Sequence, residues 1–170
     1  MLVAGIGNMF LRDDGFGPEV VRRLELQGGL PGGVRVADYG IRGMHLAYDL
    51  LDPVDTLVLV DTVAVGERAG EIVVLEVGAG DLLAGDLGAG DLLAGNLGAG
   101  DLDAHGMNPT AMLASLDRMG GTLPPTYVVG CRPVRWDEGI GLSPEVEAAV
   151  PPAIAAIREV VARLVPAGGR

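Results

Sequence analysis

The stretch GIGNMFLRDDGFG, residues 5–17, follows a short apolar run, LVA, at positions 2–4. It predicts a first strand, a glycine-rich turn and a helix that includes Pro18, because proline suits the first turn of a helix. Glycine-rich turns of this kind often hold phosphate. This turn instead carries two acids, Asp13 and Asp14. The stretch therefore predicts a strand–helix unit of an α/β protein and raises the question of what its carboxylates do.

Strand and helix patterns alternate along the rest of the chain. The strands are predicted at 2–6, 34–38, 56–61, 71–77 and 126–130, and the helices at 18–27, 44–51, 109–119 and 144–164. The third strand, TLVLVD, is apolar at consecutive positions, which is typical of a strand buried on both faces. The alternation predicts a mainly parallel sheet covered by helices on both sides. A length of 170 residues fits a single domain, 1–170, with a sizeable core.

The composition excludes several classes of protein. A net charge of −11 argues against binding to nucleic acid or to an anionic membrane surface. No apolar run of about 18 residues suggests a membrane span, and no secretion signal is visible. A single cysteine excludes an internal disulfide framework. We therefore expect a cytoplasmic protein without nucleic-acid or membrane partners.

Residues 78–102 contain a ten-residue repeat, in which GAGDLLAGDL is followed by GAGDLLAGNL and GAGDL. Its aspartates could form a calcium-binding array, but their spacing differs from that of the nine-residue calcium repeat. A tandem duplication in a surface loop is the simpler interpretation, because the entropy of loop closure grows slowly with length. We expect an inserted loop within the domain that carries no chemistry.

Several candidate ligands follow predicted strands. Asp13 and Asp14 come after the first strand, Asp38 ends the second, and Asp61 ends the third. His105 lies on the connection between strands four and five. Ligands of open α/β sheets bind beyond the carboxyl ends of the strands, so these side chains are expected at one edge. Any one aspartate there could be only a cap or turn residue.

Two carboxylates and an imidazole from separate loops suit a borderline divalent metal such as nickel or zinc. The positive end of the first helix is expected to favour an ionised Asp14. A nucleotide site fits poorly, because the dinucleotide motif needs glycine where Phe10 stands and no phosphate-loop lysine is present. The pattern therefore predicts a cation site.

The remaining candidates for chemistry have simpler explanations. His45 falls in a helical pattern and is expected to be partly buried or on the surface. Neither serine, Ser115 or Ser143, lies in a nucleophile motif, and Ser143 before Pro144 is predicted to cap a helix. Cys131 is expected to be a small buried residue.

Five segments in order resemble the hydrogenase maturation endopeptidases, which remove a C-terminal extension from the large subunit of nickel-iron hydrogenases. The segments are GIGNMFLRDDGFGPEVVRRL, DYGIRGMHLAYDL, LVLVDTVAVG, DAHGMNP and GCRPVRWDEGIGLSPEVEAAV. The resemblance implies a three-layer α/β/α fold with a twisted, mainly parallel five-stranded sheet. It also implies a peptidase whose partner is the large-subunit precursor.

The resemblance further implies roles for particular residues. Asp14, Asp61 and His105 match the nickel ligands, and the nickel is carried by the substrate, so no permanently bound cofactor is expected. Asp38 and the turn Gly40, Ile41, Arg42 and Gly43 match the segment that contacts the substrate. The attacking water could be activated by Asp38 as a general base or by the metal.

Two departures and two alternatives stay open. The turn YGIRG replaces the family's usual Gly-Gly-Thr-x-Gly, and position 14 is Asp where Glu is common. A nickel-sensing binding module or chaperone without hydrolytic activity would use the same ligands. A zinc hydrolase with its own stable metal is the third hypothesis.

Overall fold

A computed structural model of the chain describes residues 1–78 and 109–165. In these ranges, five strands form one sheet in the order β2-β1-β3-β5-β4. The strands are β1 (Leu2–Ile6), β2 (Arg35–Gly40), β3 (Leu57–Thr62), β4 (Ile72–Val77) and β5 (Thr126–Cys131). All neighbouring pairs are parallel except β4 and β5. The predicted, mainly parallel five-stranded sheet is confirmed.

Helices cover both faces of this sheet. They are α1 (Phe16–Gln27), α2 (Gly43–Asp49), α3 (Pro109–Arg118) and α4 (Pro144–Leu164). Successive residues of a strand point to opposite faces. Leu2 and Leu57 accordingly pack with α2 and α3, whereas Val3 and Val58 pack with α1 and α4. The result is the expected three-layer α/β/α arrangement.

Helix α4 is continuous although it contains Pro151 and Pro152. Proline inside a helix removes a backbone hydrogen bond and crowds the preceding turn. Both prolines are exposed, while the opposite side of the helix is fully buried against the sheet. This buried side includes Val150, Ile157 and Val161. Tertiary packing of that apolar stripe outweighs the local cost of the prolines.

The carboxyl ends of β1, β2, β3 and β5 meet at one edge of the sheet, which we call the carboxyl edge. Helix α3 begins toward the same edge. Its end is followed by Gly121, which lies against Leu116 and against Leu51, just after α2. β5 then starts at Thr126 on the opposite edge. Helix α3 therefore runs away from the carboxyl edge, and its first residue, Pro109, lies at the end nearer to that edge.

The decapeptide repeat 78–102, Gly78 apart, and His105 lie outside the described residues. The prediction of an inserted loop and the prediction of a single domain both remain untested. Within the two described ranges, no helix is long and apolar enough to cross a membrane.

Candidate active site

The glycines of the stretch 5–17 serve backbone packing. A side chain on Gly17 would collide with the carbonyl oxygens of Ile6 and Val60, so α1 begins in direct contact with β1 and β3. Gly7 has φ +133°, and a side chain there would collide with the carbonyl oxygen of Asp14. Glycine is required where backbones approach this closely. The turn thereby holds Asp14 at the carboxyl edge.

Asp14 lies in a short 3-10 turn, Arg12–Gly15, directly before α1. The Asn8 backbone N–H donates to Asp14 Oδ2 at 2.7 Å, and Thr62 Oγ1 donates to Oδ1 at 3.4 Å. Burial raises the pKa of Asp14, although both hydrogen bonds lower it. Desolvation therefore outweighs the hydrogen bonds in its effect on the pKa of Asp14. The expected contribution of the helix end stays a prediction.

Asp61 lies near the end of β3 and is only 6% exposed. Its Oδ1 accepts a hydrogen bond from the Thr62 backbone N–H at 2.7 Å. Burial raises the pKa of Asp61 well above its usual value, and the negative charge of Asp14 raises it further. The two carboxylates therefore lie close enough to repel each other. We call Asp14 and Asp61 the carboxylate pair.

Chemically, the carboxylate pair offers oxygen ligands to a cation. Asp61 is buried and Asp14 is half-buried. Two such carboxylates, which disfavour each other's charge, gain most from a positive partner, because it offsets both the desolvation and the repulsion. Each carboxylate also keeps acceptor capacity that the described residues do not use. Borderline divalent metals accept such ligands together with imidazole.

The third predicted ligand, His105, lies outside the described residues. In ranges 1–78 and 109–165, no group of three or more His, Cys, Asp or Glu side chains could hold a metal ion. The described part of the chain thus brings together two of the three predicted ligands. His105 precedes Pro109 by four residues, which limits the distance between their Cα atoms to about 14 Å.

The predicted substrate-contact turn follows β2 at the same edge. The Arg42 guanidinium folds back and donates to the carbonyl oxygens of Tyr39 at 3.1 Å and Asp38 at 2.6 Å. The Gly7 backbone N–H donates to the Gly40 carbonyl at 3.0 Å, which ties this turn to the turn after β1. The Asp38 side chain is exposed and free to meet a substrate.

A groove of about 390 Å³ runs along the surface beside Asp38. Its walls include Gly15, next to Asp14, as well as Met9 and Ile140. Met9 is 55% exposed and Ile140 is 68% exposed. The groove also has charged side chains in its walls, among them Arg12, Glu19 and Arg22. An open groove with both apolar and charged walls, one of them formed by Asp38, suits an extended peptide.

Asp13 has a different role from Asp14. Its side chain is fully buried and accepts hydrogen bonds from Val134, Arg135 and Ser143. These donors are different from the residues that hold Asp14. The prediction for Ser143 needs correction: it occupies the N-cap position of α4, but its hydroxyl donates to Asp13 and makes no capping hydrogen bond. A cap would need the hydroxyl oxygen as an acceptor for a backbone N–H of the first turn, whereas here the hydroxyl serves as a donor to the buried carboxylate.

The other expectations agree with the structure. His45 is exposed on α2. Cys131 is buried, and burial raises the pKa of its thiol to about 12, so it is no nucleophile at neutral pH. Sequence reasoning missed Thr62 and Asn8, which hold Asp14. The only signal for Thr62 was its position directly after Asp61 at the end of a buried strand.

No protein-family model matches the chain. Over 165 residues, the chain is 30% identical to the hydrogenase 2 maturation protease of Escherichia coli strain K12. That match covers 94% of this chain and 91% of the relative. The hydrogenase expression/formation protein HupD of Rhodobacter capsulatus is 36% identical over 75 residues, which is 44% of this chain and 35% of that protein.

A solved structure shows the same fold. The hydrogenase maturating endopeptidase HybD from Escherichia coli matches with a TM-score of 0.73 and 25% sequence identity. The match covers 95% of this chain and 91% of that chain.

Proposed function

Since the chain belongs to the hydrogenase maturation proteases and is therefore a peptidase, we propose that it removes the C-terminal extension of a nickel-iron hydrogenase large-subunit precursor. Cleavage follows the insertion of nickel, which the enzyme detects on the substrate. The observation that carries this proposal is the carboxylate pair, Asp14 and Asp61, at the carboxyl edge.

Nickel in this scheme belongs to the precursor. Asp14 and Asp61 offer oxygen ligands, and His105 supplies the nitrogen ligand from the segment that precedes α3. Contact with the nickel lowers the cost of keeping both carboxylates ionised, because a cation opposes the effects that raise their pKa values. An enzyme that contacts the metal in this way aligns the precursor's tail only when the metal is present.

The tail then lies in the groove beside Asp38. We assign to Asp38 the role of general base, since its carboxylate is exposed at the groove and its own carbonyl is fixed by Arg42. Water adds to the carbonyl carbon of the scissile bond and gives a proton to Asp38. The C–N bond breaks, the leaving amine takes that proton, and the products are a new carboxylate end and the free tail.

The test is a cleavage assay on purified protein. A nickel-loaded precursor and the metal-free precursor are incubated separately with the enzyme, and mass spectrometry reads each C-terminus. We expect cleavage of the loaded precursor alone. Cleavage of both would keep the peptidase and overturn the detection of nickel. Cleavage of neither, with the precursor still bound, would favour the binding module over the protease.

A further inference from the structure

Asp13 joins two distant parts of the chain. Its Oδ2 accepts hydrogen bonds from the backbone N–H groups of Val134 and Arg135 at 2.8 and 2.9 Å, and from Ser143 Oγ at 2.9 Å. Its Oδ1 accepts one from the Ser143 backbone N–H at 2.6 Å. We call this arrangement the Asp13 cluster. It fixes residues 134–143 to the turn that carries Asp14.

Backbone hydrogen bonds run alongside the Asp13 cluster. The Arg12 N–H donates to the Gly139 carbonyl at 3.0 Å, and the Gly139 N–H donates to the Phe10 carbonyl at 2.8 Å. The Asp13 N–H donates to the Arg135 carbonyl at 3.2 Å. Both ends of the turn are therefore held from the same side by residues 134–143.

The turn held in this way is strained. Arg12 has φ +51°, a left-handed conformation that is costly for a residue with a Cβ atom. Among the described non-glycine residues, it has the only positive φ. A strained residue persists only where its surroundings fix it, and such residues gather at functional sites. Two residues further along the chain comes Asp14.

We propose that Asp13 is a positioning residue, which keeps Arg12 in its left-handed conformation and so aims Asp14 at Asp61 and at the metal. The inference rests on the proposed function, in which the carboxylate pair contacts nickel. It gives residues 134–143, which contain no metal ligand, a part in metal recognition. Without the cluster, the turn relaxes and Asp14 leaves the position that Asn8 and Thr62 define.

The chain offers a built-in reporter of this attachment. Trp136 is its single tryptophan and lies within residues 134–143, half-buried. Release of these residues from Asp13 exposes the indole, so acrylamide quenches its fluorescence more strongly. A mutation that only destabilises the core leaves the quenching unchanged in the folded protein.

The experiment compares Asp13→Asn with wild type and with a control in α4. Asparagine has an amide NH₂ group in place of one carboxylate oxygen, so it cannot accept hydrogen bonds from all the donors around Asp13. The control is Ile157→Val or Ile157→Ala, whichever lowers the melting temperature equally, because Ile157 is fully buried in α4. Ser143→Ala, which removes one donor, is the milder second variant.

We measure Trp136 quenching, the affinity for Ni²⁺ alone by calorimetry, and cleavage of the loaded precursor, all well below the melting temperatures. Asp13→Asn should increase quenching, weaken Ni²⁺ binding about tenfold and lower kcat about tenfold, with KM nearly unchanged. Ser143→Ala should change the same quantities by about threefold. The Ile157 control should match wild type in each.

Equal behaviour of Asp13→Asn and the Ile157 control would overturn the proposal and leave Asp13 as a plain stabilising residue. If Asp13→Asn does not fold, Ser143→Ala decides, and wild-type values for it are the negative result. Absence of cleavage by wild type would instead reject the proposed function. In that case the Ni²⁺ affinities of the variants still show whether Asp13 positions Asp14 or only stabilises the fold. If even the wild-type protein binds no Ni²⁺, the result counts against the positioning role.

Discussion

Asp13 and Asp14 are neighbours in the sequence but have opposite environments. The Asp13 carboxylate is fully buried and accepts four hydrogen bonds from described residues. The Asp14 carboxylate accepts one short bond, from the Asn8 N–H, and one long bond, from Thr62. It also repels the like charge of Asp61, which itself accepts one bond. Among the residues that the structure describes, donors saturate the Asp13 carboxylate but not those of Asp14 and Asp61.

The difference shows how a fold separates a structural carboxylate from a candidate metal ligand. A buried charge is tolerable when hydrogen bonds replace its water shell, as at Asp13. At Asp14 and Asp61 the described residues replace the water shell only in part, and burial raises both pKa values. Acceptor sites that the described residues leave unused cost stability and leave room for a cation. Sites that trade stability for function in this way are common in enzymes.

Asp61→Asn should have the largest effect. It removes one negative charge from the carboxylate pair, so we expect cleavage of the loaded precursor to fall by about 100-fold or more. Mutation of residues that only support a metal ligand already lowers metal affinity or activity by about 10–100-fold. The melting temperature should stay equal or rise, because the repulsion with Asp14 disappears. Asp52→Asn, at an exposed position, is the control. Full activity of Asp61→Asn would show that the pair is not the metal site.

His105→Ala tests the ligand that sequence alone supplies. We expect a loss of cleavage as large as that of Asp61→Asn, about 100-fold or more, because a third ligand completes the recognition of nickel. Melting temperature should not change. His45→Ala, the chain's other histidine, should retain wild-type cleavage. A normally active His105→Ala protein would remove this residue from the site.

Stability should depend on pH through Asp61. Its folded pKa lies well above the ordinary 3.8 of the unfolded chain, so the folded state holds the proton more tightly. Stability therefore falls as pH rises from about 3.8 through the folded pKa and is level above it. The total loss is about 1.4 kcal/mol for each pH unit between the unfolded and folded pKa values. Calorimetry from pH 4 to 8 should show that the Asp61→Asn variant becomes more stable relative to wild type as the pH rises through that window. A constant difference would contradict the raised pKa.

Thr62→Val sharpens the comparison with a small change. The substitution keeps the shape but removes the donor to Asp14, so cleavage should fall about threefold, the lower end for one hydrogen bond. Thr126→Val is a matched control, because Thr126 also hydrogen-bonds through its hydroxyl but lies at the opposite edge of the sheet. Equal rates for the two variants would show that Thr62 does not help to orient Asp14.

Deletion of residues 78–97 should have the smallest effect. It removes two whole repeats and leaves residues 98–108 to connect β4 with α3, a length that can extend to about 36 Å. Shortening the connection about threefold changes the free energy of closure by about 1 kcal/mol. The melting temperature should therefore shift by less than about 4 °C. A larger loss would show that the repeat packs on the core.

Much of the fold was predictable because its signals are local. The strands that become β1 and β3 are apolar runs between turn residues, and the helix that becomes α4 keeps its apolar spacing despite Pro151 and Pro152. Helix α1 starts at Phe16, two residues before the predicted position. The antiparallel pairing of β4 was not predictable in this way, since pairing direction depends on how the connection returns.

For the site, the sequence placed Asp14, Asp38 and Asp61 at one edge, because parallel strands share the direction of their ends. The position of the two acids after the first strand could not distinguish Asp13 from Asp14, and only the family resemblance selected Asp14. Both follow the same strand, and their separation depends on donors contributed by residues 134–143, more than a hundred positions away. The rise in the pKa of Asp14 was also not predictable from the sequence, since burial is a property of the packed chain.

The sequence by itself determined the alternation of strands and helices, the glycines that let α1 touch β1, and the order of the candidate ligands. These are properties of local patterns and of the direction of the chain. Only the tertiary structure decided which carboxylate is saturated and which remains open, because hydrogen-bond donors and desolvation come from segments distant in sequence. Asp13 is thereby part of the framework, and Asp14 with Asp61 forms the candidate site.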